Sequence, residues 1–193
     1  MSDGEPADDT GEATGVVLDF LPHGRTSDDR PQYEKDPLGF VLDYDDFTLY
    51  EFIAESDANV SIGDRIDVAS GDFVTRYSEI EYDELPGGAQ SELAYVIEDI
   101  VEEQQQRFVD FYNDAQPITL RLHQLNLLPG IGKKLRNNIL DERKRQPFES
   151  FEDLESRIGG LHNPKEVLVD RIMEELREDD LKYRIFVRQE DGS

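Results

Sequence analysis

The chain has 193 residues, 37% of them apolar, no cysteine, and 45 acids against 20 bases, a formal net charge of −25. That length allows one domain or two small ones with a buried core, and the missing cysteine excludes disulfides, thiolate metal sites and cysteine nucleophiles. No apolar run reaches membrane-span length and none with basic flanks resembles a signal peptide, so a cytoplasmic protein with no membrane partner is expected.

Residues 1–14, MSDGEPADDTGEAT, are acidic, rich in small residues and without apolar period, and read as a disordered tail. Val16–Leu21 is an apolar run suited to a buried strand. Residues 22–37 form a long Pro-bounded loop in which Arg25, Arg30, Tyr33 and Lys35 are candidate nucleic-acid contacts, offset by Asp28, Asp29, Glu34 and Asp36. Leu38–Leu42 and Phe47–Ala54 read as strands joined across Asp45-Asp46. Ser61–Val68 supplies another, and Phe73–Tyr82 one or two more. About five short strands within residues 15–86 predict a small β-barrel. Their spacing resembles that of OB-fold or S1-like oligonucleotide binders, and an SH3-like barrel reads the same way.

Gly87-Gly88 ends the strand series. Leu93, Val96, Ile97, Ile100 and Val101 then recur at helical spacing, predicting a linking helix within 87–114. Phe108, Phe111 and Tyr112 extend its apolar face and suit core packing.

Next comes the stretch LNLLPGIGKKLRNNIL, residues 125–140. Leu122, Leu125 and Leu128 follow helical spacing into Pro129-Gly130-Ile131-Gly132, which no helix crosses unbroken. The period resumes with Leu135, Ile139 and Leu140 on one face and Lys133, Lys134, Arg136 and Asn137 off it. Two short helices meeting at a tight turn are expected, the second starting with orphan N–H groups beside three cations, a ready phosphate seat. The segment LPGIGKK resembles the helix-hairpin-helix family, which binds DNA or RNA through backbone amides without reading sequence. The resemblance implies that the amides of Gly130, Ile131, Gly132 and Lys133 hold a phosphate, that Lys133, Lys134 and Arg136 add charge, and that Pro129 and Gly130 shape the turn.

Local charge agrees with that expectation. From Pro117 to Pro147 there are seven bases and two acids, net +5, while the other 162 residues carry 13 bases and 43 acids, net −30. Three of the six lysines lie in this stretch. The acid-rich, lysine-poor remainder resembles proteins of salt-loving archaea. At high salt the counterion-release drive collapses, so amide contacts gain weight over Lys and Arg.

Ser150-Phe151-Glu152-Asp153 has capping-box spacing and opens a helix ending near Ile158. Asn163-Pro164-Lys165-Glu166 opens another, with Asn163 as cap and Pro164 in the first turn. The pair completes a tandem helix-hairpin-helix region over 115–178. Its second hairpin, GGLHNP, departs from the pattern and is assigned to scaffolding. Residues 181–188, LKYRIFVR, alternate cleanly and predict a terminal strand within 179–193.

No metal or catalytic constellation stands out. His23, His123 and His162 are scattered, and no phosphate-binding loop, nucleophile elbow or dinucleotide fingerprint occurs, so no cofactor, metal or catalytic residue is expected. The fold class is therefore α+β: a small N-terminal barrel, a tandem helix-hairpin-helix domain and a final strand. The whole arrangement resembles an uncharacterised archaeal family that joins an OB-like domain to a helix-hairpin-helix domain. The matching stretches are VLDFLPHGR, RLHQLNLLPGIGKK and PFESFEDLESRI. The resemblance implies a non-enzymatic nucleic-acid binder, with RNA favoured over DNA and ribosomal or rRNA-processing partners. A DNA repair factor or nuclease, and a protein-interaction adaptor, are the alternatives.

Overall fold

The computed structural model describes residues 14–188, so the acidic tail expected over residues 1–14 lies outside the described residues except for Thr14, which opens a strand. The chain divides into two compact units at Gln90/Ser91, each described by itself.

The first unit is an all-antiparallel sheet of five strands, β1 (Thr14–Leu21), β2 (Leu38–Asp43), β3 (Leu49–Ala54), β4 (Arg65–Asp67) and β5 (Val74–Ile80), in the order β4-β1-β2-β3-β5. It curls into a half-barrel. Register follows the pleat: Val17 faces Val41, Val41 faces Tyr50, and Phe52 faces both Gly39 and Tyr77. The glycine is required, because a Cβ at Gly39 would collide with the Phe52 ring. Phe52 is thereby buried with Val17, Val41, Ala54, Ile66 and Val68. A register shift between Val17 and Asp19 bends β1, as a bulge does.

The expected strands are present with narrower bounds. Phe47 stands at φ +59° in the turn, so β3 begins two residues later, at Leu49. The Asp43 carboxylate shapes this turn by accepting from the N–H groups of Asp45 (2.8 Å) and Asp46 (3.0 Å). Only Arg65–Asp67 of the expected 61–68 strand pairs in the ladder. Phe73–Tyr82 yields one strand, and one 3-10 turn, Tyr82–Glu84, follows it.

The second unit is helical: α1 (Gly87–Glu103, whose first turn counts with the sheet unit), α2 (Gln105–Asp114), α3 (Lys133–Arg145), α4 (Phe151–Arg157) and α5 (Pro164–Arg177). The single linking helix is thus two, broken at Gln104, where ψ is +35°. Most of their length is counted with the helical unit. Phe108, Tyr112, Leu125, Ile139, Phe148, Leu154, Leu168 and Ile172 form its buried interior. The Tyr112 hydroxyl donates to the Pro164 carbonyl at 2.9 Å, and burial pushes its phenol well above the usual range. Ser150 caps α4 as expected, its Oγ accepting from Asp153 N–H at 3.0 Å. Asn163 instead adopts the left-handed conformation (φ +49°) and makes no side-chain cap to α5.

Among the described residues the terminal strand is absent. Glu175, fully buried, accepts through Oε1 from three successive N–H groups, Ile185 (2.9 Å), Phe186 (2.9 Å) and Val187 (3.1 Å). In a strand, successive N–H groups point to opposite sides, so three converging on one oxygen rule out a ladder. The alternation that suggests a strand belongs to a bent strap, tied down on α5. Arg171 completes the tie: Nε donates to Glu175 Oε2 at 2.9 Å and Nη2 to Tyr183 O at 2.6 Å.

Candidate nucleic-acid interface

The hairpin is built from a ladder of short-range bonds. His123 opens a single 3-10 turn, Gln124–Leu127, with its Nδ1 accepting from Leu125 N–H at 3.1 Å. Leu128 N–H closes the turn on Leu125 O at 3.2 Å. The expected first helix is therefore one turn long, because Pro129 follows and biases Leu128 to its extended conformation (ψ 135°). Ile131 N–H then bonds Leu128 O at 3.2 Å, with Gly130 at φ +80°. Proline at the second position and a positive φ at the third are the requirements of a type II turn. Leu125, Leu128 and Ile131 are buried and anchor the turn from below.

Asn126 ties entry to exit. Its Oδ1 accepts from His123 N–H (3.1 Å) and Arg136 Nη1 (3.0 Å), and its Nδ2 donates to Ile131 O (3.2 Å). From below, Arg171 Nη1 donates to Leu127 O at 3.2 Å. Neither tie was legible as a site feature. His123 and Asn126 have reciprocal cap spacing, but histidine is an unusual cap, and Arg171 lies 44 residues from Leu127.

The expected site residues separate into two sets. Gly130, Gly132, Lys133 and Lys134 are exposed, and their N–H groups have no partner among the described residues. Gly132 is the N-cap of α3 and Lys133, Lys134 and Leu135 fill its first turn, where intrahelical bonding begins only with Arg136 N–H to Gly132 O. The ammonium groups of Lys133 and Lys134 are likewise without a partner among the described residues. The second set is structural. The amide of Ile131 is spent in the turn and its side chain is buried, Pro129 shapes the turn without an N–H, and Arg136 is half-buried against Asn126 and Asn137. No Cβ at Gly130 or Gly132 would meet anything within 4 Å, so both leave open space above the backbone.

Arg143, Arg157 and the bases of the 22–37 loop are occupied. Arg143 Nη1 donates to Tyr112 O (3.1 Å) and Ala115 O (3.0 Å), capping α2. Arg157 clamps the end of α3 through Glu142 O and Gln146 O, both at 2.8 Å. In the 22–37 loop, Arg25 bonds Glu51 and Glu84 O, and Lys35 bonds Arg25 O. Arg30 holds Asp28 at 2.7 Å, keeping that carboxyl low, at about 2. Those loop bases are spent on the fold, while Tyr33 stands exposed.

At the second hairpin, Lys165 is bound to Glu98 (3.2 Å) and Glu102 (3.3 Å), and Glu166 sits in the first turn of α5. A groove of 1230 Å³ beside it is lined by Glu98, Glu102, Glu152, Glu155, Glu166 and Asp170. Six carboxylates against the one lysine make this face predominantly acidic. Among the described residues no group of His, Asp and Glu side chains is assembled as a metal site, and no helix is long and apolar enough to cross a membrane.

A family described as "Protein of unknown function (DUF655)" matches residues 11–188. A relative from Methanocaldococcus jannaschii, "Uncharacterized protein MJ0038", is 40% identical over 182 residues, covering 91% of this chain and 80% of that one. The crystal structure of Af1531 from Archaeoglobus fulgidus, assigned to the same family, superposes with a TM-score of 0.84 at 39% identity. The match covers 92% of this chain and all of that one.

Proposed function

The chain belongs to the DUF655 family, and we propose that it is a non-enzymatic nucleic-acid-binding protein whose LPGIGKK hairpin grips a phosphate backbone without reading base sequence. The observation that carries this reading is the set of amides at Gly130, Gly132, Lys133 and Lys134, without partners among the described residues and carrying two lysine side chains likewise unpaired there, in a chain of net charge −25. Orphan N–H groups and the positive end of the α3 dipole favour an anion there, and hydrogen bonds to a charged acceptor are worth about 1.5–3 kcal/mol each. The bare backbone at both glycines lets a phosphate oxygen approach.

In this reading Leu125–Arg145 is the first helix-hairpin-helix element, with its leading helix cut to one 3-10 turn, and α4–α5 the second. The half-barrel is an OB-like module able to take a neighbouring single strand. RNA is the favoured polymer, in the setting of ribosome assembly, and the acid-rich surface is an adaptation to high salt. As a protein-interaction adaptor the chain would dock its hairpin on a partner and add a terminal strand to that partner's sheet, whereas the N–H groups of Ile185, Phe186 and Val187 go to Glu175.

The test is a mobility-shift titration of the full chain on rRNA fragments and duplex DNA at several salt concentrations. Replacing Lys133 and Lys134 together by Gln should weaken binding to every sequence alike. It should also lower the salt slope by about 1.4 on single strands, 0.7 for each phosphate that a lysine no longer neutralises. An unchanged slope and affinity would remove the hairpin from the interface.

A further inference from the structure

We propose that the tip of the small hairpin over residues 116–123 is a second contact with RNA, in which Leu120 wedges against an unstacked base and Arg121 takes the adjoining phosphate. RNA with a bulged base is then preferred to an unbroken duplex. The inference rests on the reading of the phosphate site above and adds the kind of RNA that site selects.

Leu120 is wholly exposed, at 107% of its reference area, more than any other large apolar side chain among the described residues. A lone surface leucine is ordinary on its own. What sets this one apart is the backbone beneath it. Ile118 and Thr119 N–H both bond Leu122 O, at 2.8 and 3.0 Å, and Thr119 Oγ1 accepts from Leu122 N–H (3.0 Å) and Arg121 N–H (3.3 Å). Gln116 and Gln124 close the base: Gln124 N–H bonds Gln116 O at 3.0 Å, and Gln124 Oε1 accepts Gln116 N–H at 2.8 Å. Pro117 and His123 pair as an isolated bridge, and Arg143 holds Ala115 O from below. A tip bonded at each level presents its leucine outward and forgoes the burial that a slack loop would allow.

Its neighbours indicate what it meets. Arg121 is exposed and its guanidinium has no partner among the described residues, whereas Arg136, Arg143, Arg157 and Arg171 each hold a carbonyl or side chain. A leucine beside a free cation suits a polyanion with flat apolar faces better than an apolar protein surface. Leucine is among the wedges that enter base steps. The tip also shares its anchor with the phosphate site: His123 N–H donates to Asn126, which holds Ile131 O and Arg136. Leu120 is three residues from His123, at most about 10 Å of chain.

The experiment uses the full chain and a short RNA hairpin carrying 2-aminopurine beside a single unpaired base, with a fully paired hairpin for comparison. Wild type should bind the bulged RNA about tenfold more tightly and raise its 2-aminopurine fluorescence. Leu120→Ala should bind both RNAs alike and lose the fluorescence rise, and Leu120→Met should retain both effects. Gly132→Asp should lose both RNAs. If Leu120→Ala keeps the preference and the signal while Gly132→Asp abolishes binding, the wedge is refuted and the phosphate site stands. If wild type shows no preference, the wedge is likewise refuted. If Gly132→Asp binds normally, or wild type binds neither RNA, the phosphate site fails and the wedge with it.

Discussion

Gly132→Asp separates binding from folding, because it should strengthen one and destroy the other. Gly132 stands at φ −89°, ψ −169°, an extended conformation open to any residue, and an added Cβ meets nothing within 4 Å. As N-cap of α3, an aspartate there reaches the free N–H groups of the first turn. Aspartate over glycine at a cap gains a few tenths of a kcal/mol, and a negative charge at the helix start adds about 0.3–1 kcal/mol. The melting temperature should therefore rise by about 1–4 °C. The same carboxylate occupies the space of the phosphate and repels it, by about 4 kcal/mol for charges about 4 Å apart near a protein surface. It also takes an amide worth about 1.5–3 kcal/mol to an anionic acceptor. Even half of that sum is a loss of at least about a hundredfold. Mobility shift gives the affinity, and thermal circular dichroism gives the stability. Wild-type affinity in a stabilised Gly132→Asp variant would refute the amide grip. Gly130 offers no such separation, since at φ +80° any side chain there is strained and loss of binding would be confounded with loss of the turn.

Two further predictions concern the supports of the hairpin. His123 is held neutral, its pKa lowered by burial and by Arg143 and Arg136, and it caps the 3-10 turn as an acceptor. A histidine depressed in the fold contributes stability that is complete above about pH 6.5 and is lost as pH falls from there through the lowered native value. Chemical denaturation between pH 8 and pH 5 should show the decline, and His123→Asn, which keeps an acceptor, should flatten it; a parallel decline in the variant would contradict the assignment. Glu175→Gln should loosen the strap over residues 183–187 and leave Arg171 without its fully buried counter-charge. Breaking such a pair costs about 3–5 kcal/mol. Because Arg171 also holds Leu127 O, amide exchange should quicken in the hairpin as well as in the strap. Exchange that quickens in the strap alone would show the two to be uncoupled.

The sequence announced what is local. Pro129-Gly130 dictates its turn, Ser150 and Asp153 their cap, and the short apolar stretches in 16–21, 38–42 and 47–54 their strands, since each signal needs only neighbouring residues. What escaped depends on partners far along the chain. The strap reads as a strand until Glu175 is seen to take its N–H groups, and Arg136 reads as a free cation until Asn126, ten residues earlier, is seen to accept from it. Composition could not tell free cations from spent ones: Lys133 and Lys134 are open, whereas Arg25, Arg30, Arg143 and Arg157 bond their own fold. The break at Gln104 carried no proline or glycine to mark it.

The amides themselves give the most direct test. In a nitrogen-15 NMR titration of the full chain with single-stranded RNA, the resonances of Gly130, Gly132, Lys133 and Lys134 should move downfield as their N–H groups acquire a phosphate acceptor. Ile131, already bonded to Leu128 O, serves as the internal control and should move least among the five, and the acid-lined groove at Glu152 and Asp170 should stay still. Shifts confined to the sheet or the groove, with the hairpin amides unmoved at saturation, would contradict the account.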